Sequence, residues 1–197
     1  MQPTDGRMKR KRPPLSRELL RYLQIGSSTI ALDITGDLWE EAQRLVDIRT
    51  WQRLLSLEEL YSHFHPYARE SKALSRRLAL VDQVMLFAAT IGGELEKRSR
   101  EYLNQNEVFR GYVLDRMGSY LVEAEIRRLD SLFRLEFEEK GFRAAQRFSP
   151  GYQDFSLESQ QVFFRMMEPS IPGLLLTPAF LFKPEKTVTA LKGLQFP

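Results

Sequence analysis

Thr187-Val188-Thr189-Ala190-Leu191-Lys192-Gly193-Leu194 is the stretch on which the fold turns. Its β-branched and apolar residues, set off from the preceding run by Pro178, Lys183-Pro184 and Glu185-Lys186, read as a strand. Gly173–Thr177 reads the same way on the far side of Pro178, and Phe142–Phe148 is a further strand leading into a turn at Ser149-Pro150-Gly151-Tyr152. Each of the three runs is too short for a stable helix and is bounded by Pro or Gly. They are therefore expected to share one sheet.

Outward from this end the apolar period changes from two to about three and a half. Residues 107–139 carry Leu114, Met117, Leu121 and Ala124, giving way to Ile126, Leu129, Phe133 and Phe137, with Gly141 as a stop; this is one long helix or two. Within it, Gly118-Ser119 marks a place where another element, or a ligand, can approach the backbone. Ser156 is expected to cap a helix containing Leu157, Val162, Phe163 and Met166, ended by Pro169. Nearer the N-terminus, residues 15–25 are helical, with Leu15, Leu19, Leu20 and Leu23 on one face. Asp37 is expected to cap a second helix that carries Trp39 into the core. Arg49–Tyr61 fits a strand or an irregular edge. Gln83–Ala89 is a short apolar run ended by Thr90-Ile91-Gly92-Gly93, after which Glu94 begins a helix. That order resembles a phosphate-binding turn, but it lacks both the repeated glycine spacing and the P-loop lysine, so a structural turn is preferred. The fold class expected is α+β: a helix-rich N-terminal two-thirds, with an antiparallel or mixed sheet completed by C-terminal strands.

Composition bounds the chemistry. The chain has 197 residues, 43% apolar and 28% charged, as an ordinary globular domain has. Five basic residues (Arg7, Lys9, Arg10, Lys11, Arg12) stand against Asp5 in residues 1–12, so that segment carries +4 and the remainder of the +3 chain stands at −1. The expected organisation is a mobile basic tail over 1–14 and one domain over 15–197. A nucleic-acid reading would rest on the tail alone, so nucleic acid is not expected as a partner. Zero Cys excludes disulfides, thiolate-held metal and a Cys nucleophile. With no apolar stretch long enough to span a bilayer and no signal-peptide pattern, a cytoplasmic location without membrane contact is expected. The two histidines, His63 and His65, would project from one face of a strand but lack an evident third ligand, so no metal site is expected. No Gly-x-Ser-x-Gly elbow supports a hydrolase.

The specific signal is Arg147-Phe148-Ser149-Pro150-Gly151-Tyr152-Gln153-Asp154-Phe155-Ser156-Leu157, followed by Gln160 and then by Lys183-Pro184-Glu185-Lys186-Thr187-Val188-Thr189. It resembles the activation domain of cobalamin-dependent methionine synthase and its stand-alone relatives. Ala89-Thr90-Ile91-Gly92 with Glu94, then Leu114-Asp115 and Gly118-Ser119 with Glu123, fall in the family's order, so the resemblance runs from about residue 15 to the end. Gln153 and Phe155 stand where the family usually has Gly and Trp.

The resemblance implies a protein that binds S-adenosylmethionine and supports reductive methylation, hence reactivation, of cob(II)alamin. Family contacts to S-adenosylmethionine carry over to Arg147, Ser149 (through its backbone), Gly151, Tyr152 and Glu123. An Arg offers a planar fork to the methionyl carboxylate, a carboxylate answers an ammonium or sulfonium, and an aromatic face attracts a cation. Without the resemblance, Glu123 reads as an ion-pair partner of Arg127 one turn on, and Arg147 as a surface residue. No Asp-x-His-x-x-Gly motif is present, so cobalamin is expected on a partner: a corrinoid protein, or a methionine synthase lacking its own activation domain. A flavodoxin-like protein is the expected electron donor. The competing reading keeps the fold as a non-catalytic interaction module docking on a corrinoid or methyltransferase partner.

Overall fold

The structure, a computed structural model, describes residues 15–196; the basic run and the expected mobile tail over 1–14 lie outside the described residues. In chain order the elements are α1 (Arg17–Leu23), α2 (Thr29–Leu45), β1 (Arg49–Ser56), α3 (Leu57–His63), α4 (Tyr67–Glu70), α5 (Lys72–Leu78), β2 (Gln83–Thr90), α6 (Glu94–Asn104), α7 (Val108–Glu139), β3 (Arg143–Ala144), α8 (Gln160–Met167), β4 (Leu175–Leu176), β5 (Phe182–Lys183) and β6 (Thr187–Gln195). The main sheet has the order β1-β2-β6-β3, and every pairing in it is antiparallel. The α+β class stands as expected, with the mixed-sheet alternative removed.

Both faces of this sheet are covered, which explains why Gln83–Ala89 reads as a continuous apolar run and not as an alternation. Met85, Phe87 and Ala89 of β2 join Ala190 and Leu194 of β6 in a cluster with α1, α2, α6 and α7. Val84, Leu86 and Ala88 join Leu191 in a second cluster with α3, α5 and α8. Residues 108–139 form a single helix. Gly118 lets it lie close to its neighbours: a Cβ there would stand 2.7 Å from Leu95 Cδ2 and 3.3 Å from the Lys186 stem. The approach foreseen at Gly118-Ser119 is therefore made by α6 and by the segment entering β6. The turn after β2 is structural, as preferred: Asp47 N–H donates to the Ile91 carbonyl at 2.9 Å, and Ile91 N–H donates to the Lys186 carbonyl at 3.2 Å.

Five expectations are corrected. The second helix begins at Thr29 and not at an Asp37 cap, because Ile34 and Leu38 extend the apolar face that packs toward α7, leaving Asp37 exposed mid-helix. Trp39 is half-buried at the edge of that cluster, its ring meeting Tyr120 edge-on. The strand in Arg49–Tyr61 stops at Ser56, where a capping box starts α3: Ser56 Oγ accepts from Glu59 N–H at 3.1 Å, and Glu59 Oε2 accepts from Ser56 N–H at 2.8 Å. His63 consequently ends a helix and the paired-histidine strand geometry does not form; among the described residues no group of three His, Asp or Glu side chains could hold a metal. Lastly, Gly173–Thr177 does not enter the main sheet. Its β4 pairs with β5 in a separate hairpin, since Ile171, Leu174 and Phe182 bury toward α8 in the second cluster.

The Phe142–Phe148 run does join the sheet, but in two pieces. Ala144 pairs with Leu194, whereas Phe148 pairs with Leu191, exchanging two backbone hydrogen bonds of 2.8 Å with it. Four steps on this segment thus match three on β6, so one extra residue bulges between them. Phe148 shares the Leu191 face and enters the second cluster, which leaves Arg147 directed to the opposite, α7 side.

Candidate functional site

That bulge builds one wall of a cleft of about 450 Å³, formed by residues 146–150 and Tyr152. Glu123 of α7, residues 187–189 at the start of β6, Arg77 of α5 and Gln160 of α8 complete its lining. Four of the five residues expected at a ligand, Glu123, Arg147, Ser149 and Tyr152, line it. The fifth does not. Gly151 stands outside the wall at φ +84°, and its N–H donates to the Phe155 carbonyl at 2.8 Å, so its part is to close the turn.

Glu123 and Arg147 meet directly: Arg147 Nη2 donates to Glu123 Oε1. The side chains are 38% and 24% exposed, so the pair sits at the mouth of the cleft, within reach of solvent. Arg127, the alternative partner one turn along α7, instead faces Glu18 at 3.5 Å. Tyr152 is 66% exposed and stands at the rim, its N–H donating to the Ser149 carbonyl at 3.3 Å.

The remainder of the signature supports this wall from behind. Asp154 Oδ1 accepts from Ser71 Oγ at 2.7 Å, and its Oδ2 accepts from Lys72 N–H at 2.9 Å, which ties the turn to the start of α5. The Ser71 hydroxyl, with help from the backbone donors, holds the Asp154 carboxyl below its usual range. Phe155, 1% exposed, stacks on Phe148 with ring centroids 5.8 Å apart. Gln153 takes φ +54°, a left-handed conformation that a non-glycine residue adopts uncommonly.

The separated motifs converge as well. Lys186 Nζ, on a side chain 12% exposed, lies 2.8 Å from Asp115 Oδ1 and donates to Ser119 Oγ at 2.9 Å. Thr187 Oγ1 lies 2.9 Å from Thr90 Oγ1, and Thr189 Oγ1 donates to Gln160 Oε1 at 2.6 Å. These bonds clamp the start of β6, and with it part of the cleft lining, to α7, β2 and α8.

Arg77 and Gln146 are wall residues that sequence reading missed. Nothing in the helical pattern of residues 72–78 distinguishes Arg77; its place is set by Phe148, over whose ring its guanidinium lies at 4.5 Å. The wall therefore holds one carboxylate, two guanidiniums, hydroxyls, carboxamides and aromatic rings, with no histidine or lysine. Such a set offers both signs of charge that a zwitterion requires. It offers no nucleophile with an adjacent base.

No family model matches the chain, and no curated protein matches it in sequence. Among solved structures, the chain is similar to a crystal structure of the MetH reactivation domain bound to AdoHcy, with a TM-score of 0.60 and 16% identity over 88% of this chain and 68% of that one. The likeness is one of fold.

Proposed function

We propose that this protein binds S-adenosylmethionine in the cleft and supports reductive methylation of cob(II)alamin carried by a cytoplasmic partner, either a corrinoid protein or a methionine synthase lacking its own activation domain. The observation that carries the reading is the convergence of Glu123 and Arg147, from α7 and the bulged segment, on one cleft. Its volume of about 450 Å³ lies in the range of small-molecule sites. The AdoHcy bound to the similar reactivation domain supports the ligand class.

The residues fit such a ligand. Arg147 turns its fork from Glu123 to the methionyl carboxylate, and Glu123 then answers the ammonium, so one ion pair is exchanged for two. Tyr152 at the rim and Ser149 through its backbone hold the ligand against the turn. When bound, S-adenosylmethionine supplies an electrophilic methyl group on a sulfonium; the protein's part is to hold that group toward the open side of the cleft. The corrinoid and the electron come from partners, the second from a flavodoxin-like donor.

Isothermal titration of the protein with S-adenosylmethionine and with S-adenosylhomocysteine tests this reading, followed by methylation of cob(II)alamin on a corrinoid protein under a low-potential reductant. Binding of both ligands, with methylation dependent on the protein, is expected. The closed Glu123–Arg147 pair favours one competing reading, since both charges are satisfied without a ligand: a docking module of the same fold. Absence of binding, with and without the corrinoid partner, selects that reading.

A further inference from the structure

Several cationic side chains packed about the sheet face a carboxylate: Arg98 lies 2.7 Å from Glu41, Lys186 2.8 Å from Asp115, and the buried Lys192 2.9 Å from Asp130. Arg76, Arg77 and Arg143 are arranged differently. They line a single concavity of about 290 Å³ between the last turn of α5, β3 and the end of β6, and no carboxylate lines it. None of the three has an ion-pair partner among the described residues. Like charges gathered without a counter-charge repel, and the chain outside residues 1–12 is on balance slightly acidic, so this concentration is local and not a by-product of composition.

Two features make the concavity a built one. The Arg77 guanidinium lies 4.5 Å from the centre of the Phe148 ring, which is 5% exposed and stacked in turn on Phe155, so one face of the guanidinium is packed on a buried ring. Its other lining residues are uncharged, and two of them are packed tightly together: a Cβ at Gly193 would stand 2.6 Å from Val81 Cγ2.

We propose that this concavity is an anion site for a phosphate or pyrophosphate group, free or carried by a nucleoside, with Arg76, Arg77 and Arg143 as its ligands. Three guanidiniums present more N–H donors than the two oxygens of a carboxylate accept, whereas a phosphate or pyrophosphate offers three or more oxygens and a charge near −2. The concave form suits a small group. The site is independent of the S-adenosylmethionine reading, although Arg77 also lines the main cleft, and a nucleoside carried on the phosphate would extend in that direction.

The test is calorimetric titration of the full chain with sodium pyrophosphate and, separately, with ADP at low salt. Pyrophosphate is expected to bind, and to weaken as salt is raised. Arg76→Gln and Arg143→Gln, both at exposed positions, should each weaken it at least about tenfold with an unchanged circular dichroism spectrum. The residues 1–12 remain intact in both variants, so a loss reports on the concavity. ADP binding tenfold or more tighter than pyrophosphate assigns a nucleotide, and equal affinities assign the free anion. No binding by the wild type at about 1 mM pyrophosphate, or equal binding by the variants, overturns the proposal. S-adenosylmethionine titrated into Arg143→Gln should bind as it does to the wild type, which separates failure of this site from failure of the cleft.

Discussion

Replacing Arg147 by Ala and Glu123 by Gln, singly and together, asks whether the pair is a ligand site or a strut. At 24% and 38% exposure the ion pair is worth no more than about 1 kcal/mol to folding. In a chain of this size that is a Tm shift of about 2–4 °C. Binding is a larger effect, because each charge-assisted bond to the zwitterion contributes about 1.5–3 kcal/mol. The wild type must first open the pair, so each single variant loses one ligand contact but is spared that opening. The net loss per single variant is then about 0.5–3 kcal/mol, or roughly 2- to 150-fold in affinity. The double variant loses both contacts and regains the opening cost only once, so its affinity should fall further than the product of the single losses, by up to about fivefold. The same coupling should appear, with the sign of a stabilising pair, in a thermal double-mutant cycle without ligand. Calorimetric titration with S-adenosylmethionine and thermal melts measure the two cycles. A Tm loss well beyond 4 °C with affinity unchanged would make the pair a strut and refute the reasoning.

Three further outcomes are expected. Asp154→Asn should lower the urea midpoint at neutral pH; because the folded carboxyl lies below its unfolded value, its stabilisation is present above about pH 4 and lost as pH falls through the folded value, so the gap to wild type should close in acid. A gap that does not change between pH 7 and pH 2 would contradict this. Gly111→Ala should destabilise despite a helix-propensity gain of about 1 kcal/mol, since the overpacking cost is about 1–3 kcal/mol. The added Cβ would stand 2.7 Å from Leu103 Cγ and 2.9 Å from the Ser99 carbonyl, and a raised urea midpoint would show that α6 and α7 are less tightly packed. Phe155→Ala should cost about 3–5 kcal/mol by equilibrium unfolding, because the ring is fully buried between Phe64 and Phe148.

Several parts of the site were legible because they are local. The Arg147–Tyr152 turn and the helical period of residues 107–139 follow from residue types at fixed short spacings, and so does the cap at Ser156, although it caps a 3-10 turn over Leu157–Ser159 that leads into α8 and not α8 itself. A capping box at Ser56 and Glu59 was equally local, and its spacing was the signal that separates β1 from α3. Asp37 misled because a residue suited to a cap also tolerates the exposed face of a helix, and only packing against α7 decides between them.

The sequence by itself determined the α+β class, the continuous apolar strand β2, and the placing of Glu123 on a long helix upstream of the Arg147 turn, since each depends on periodicity or local turn chemistry. Tertiary structure alone decided that β4 leaves the main sheet, that Gly151 closes its turn instead of facing the cleft, and that Arg77 reaches the wall. It also decided the extra residue between Ala144 and Phe148 that turns Arg147 toward Glu123. The reason is that a strand's register is set by the partner it pairs with. One residue of slip exchanges the two faces of a strand while leaving its own sequence pattern unchanged.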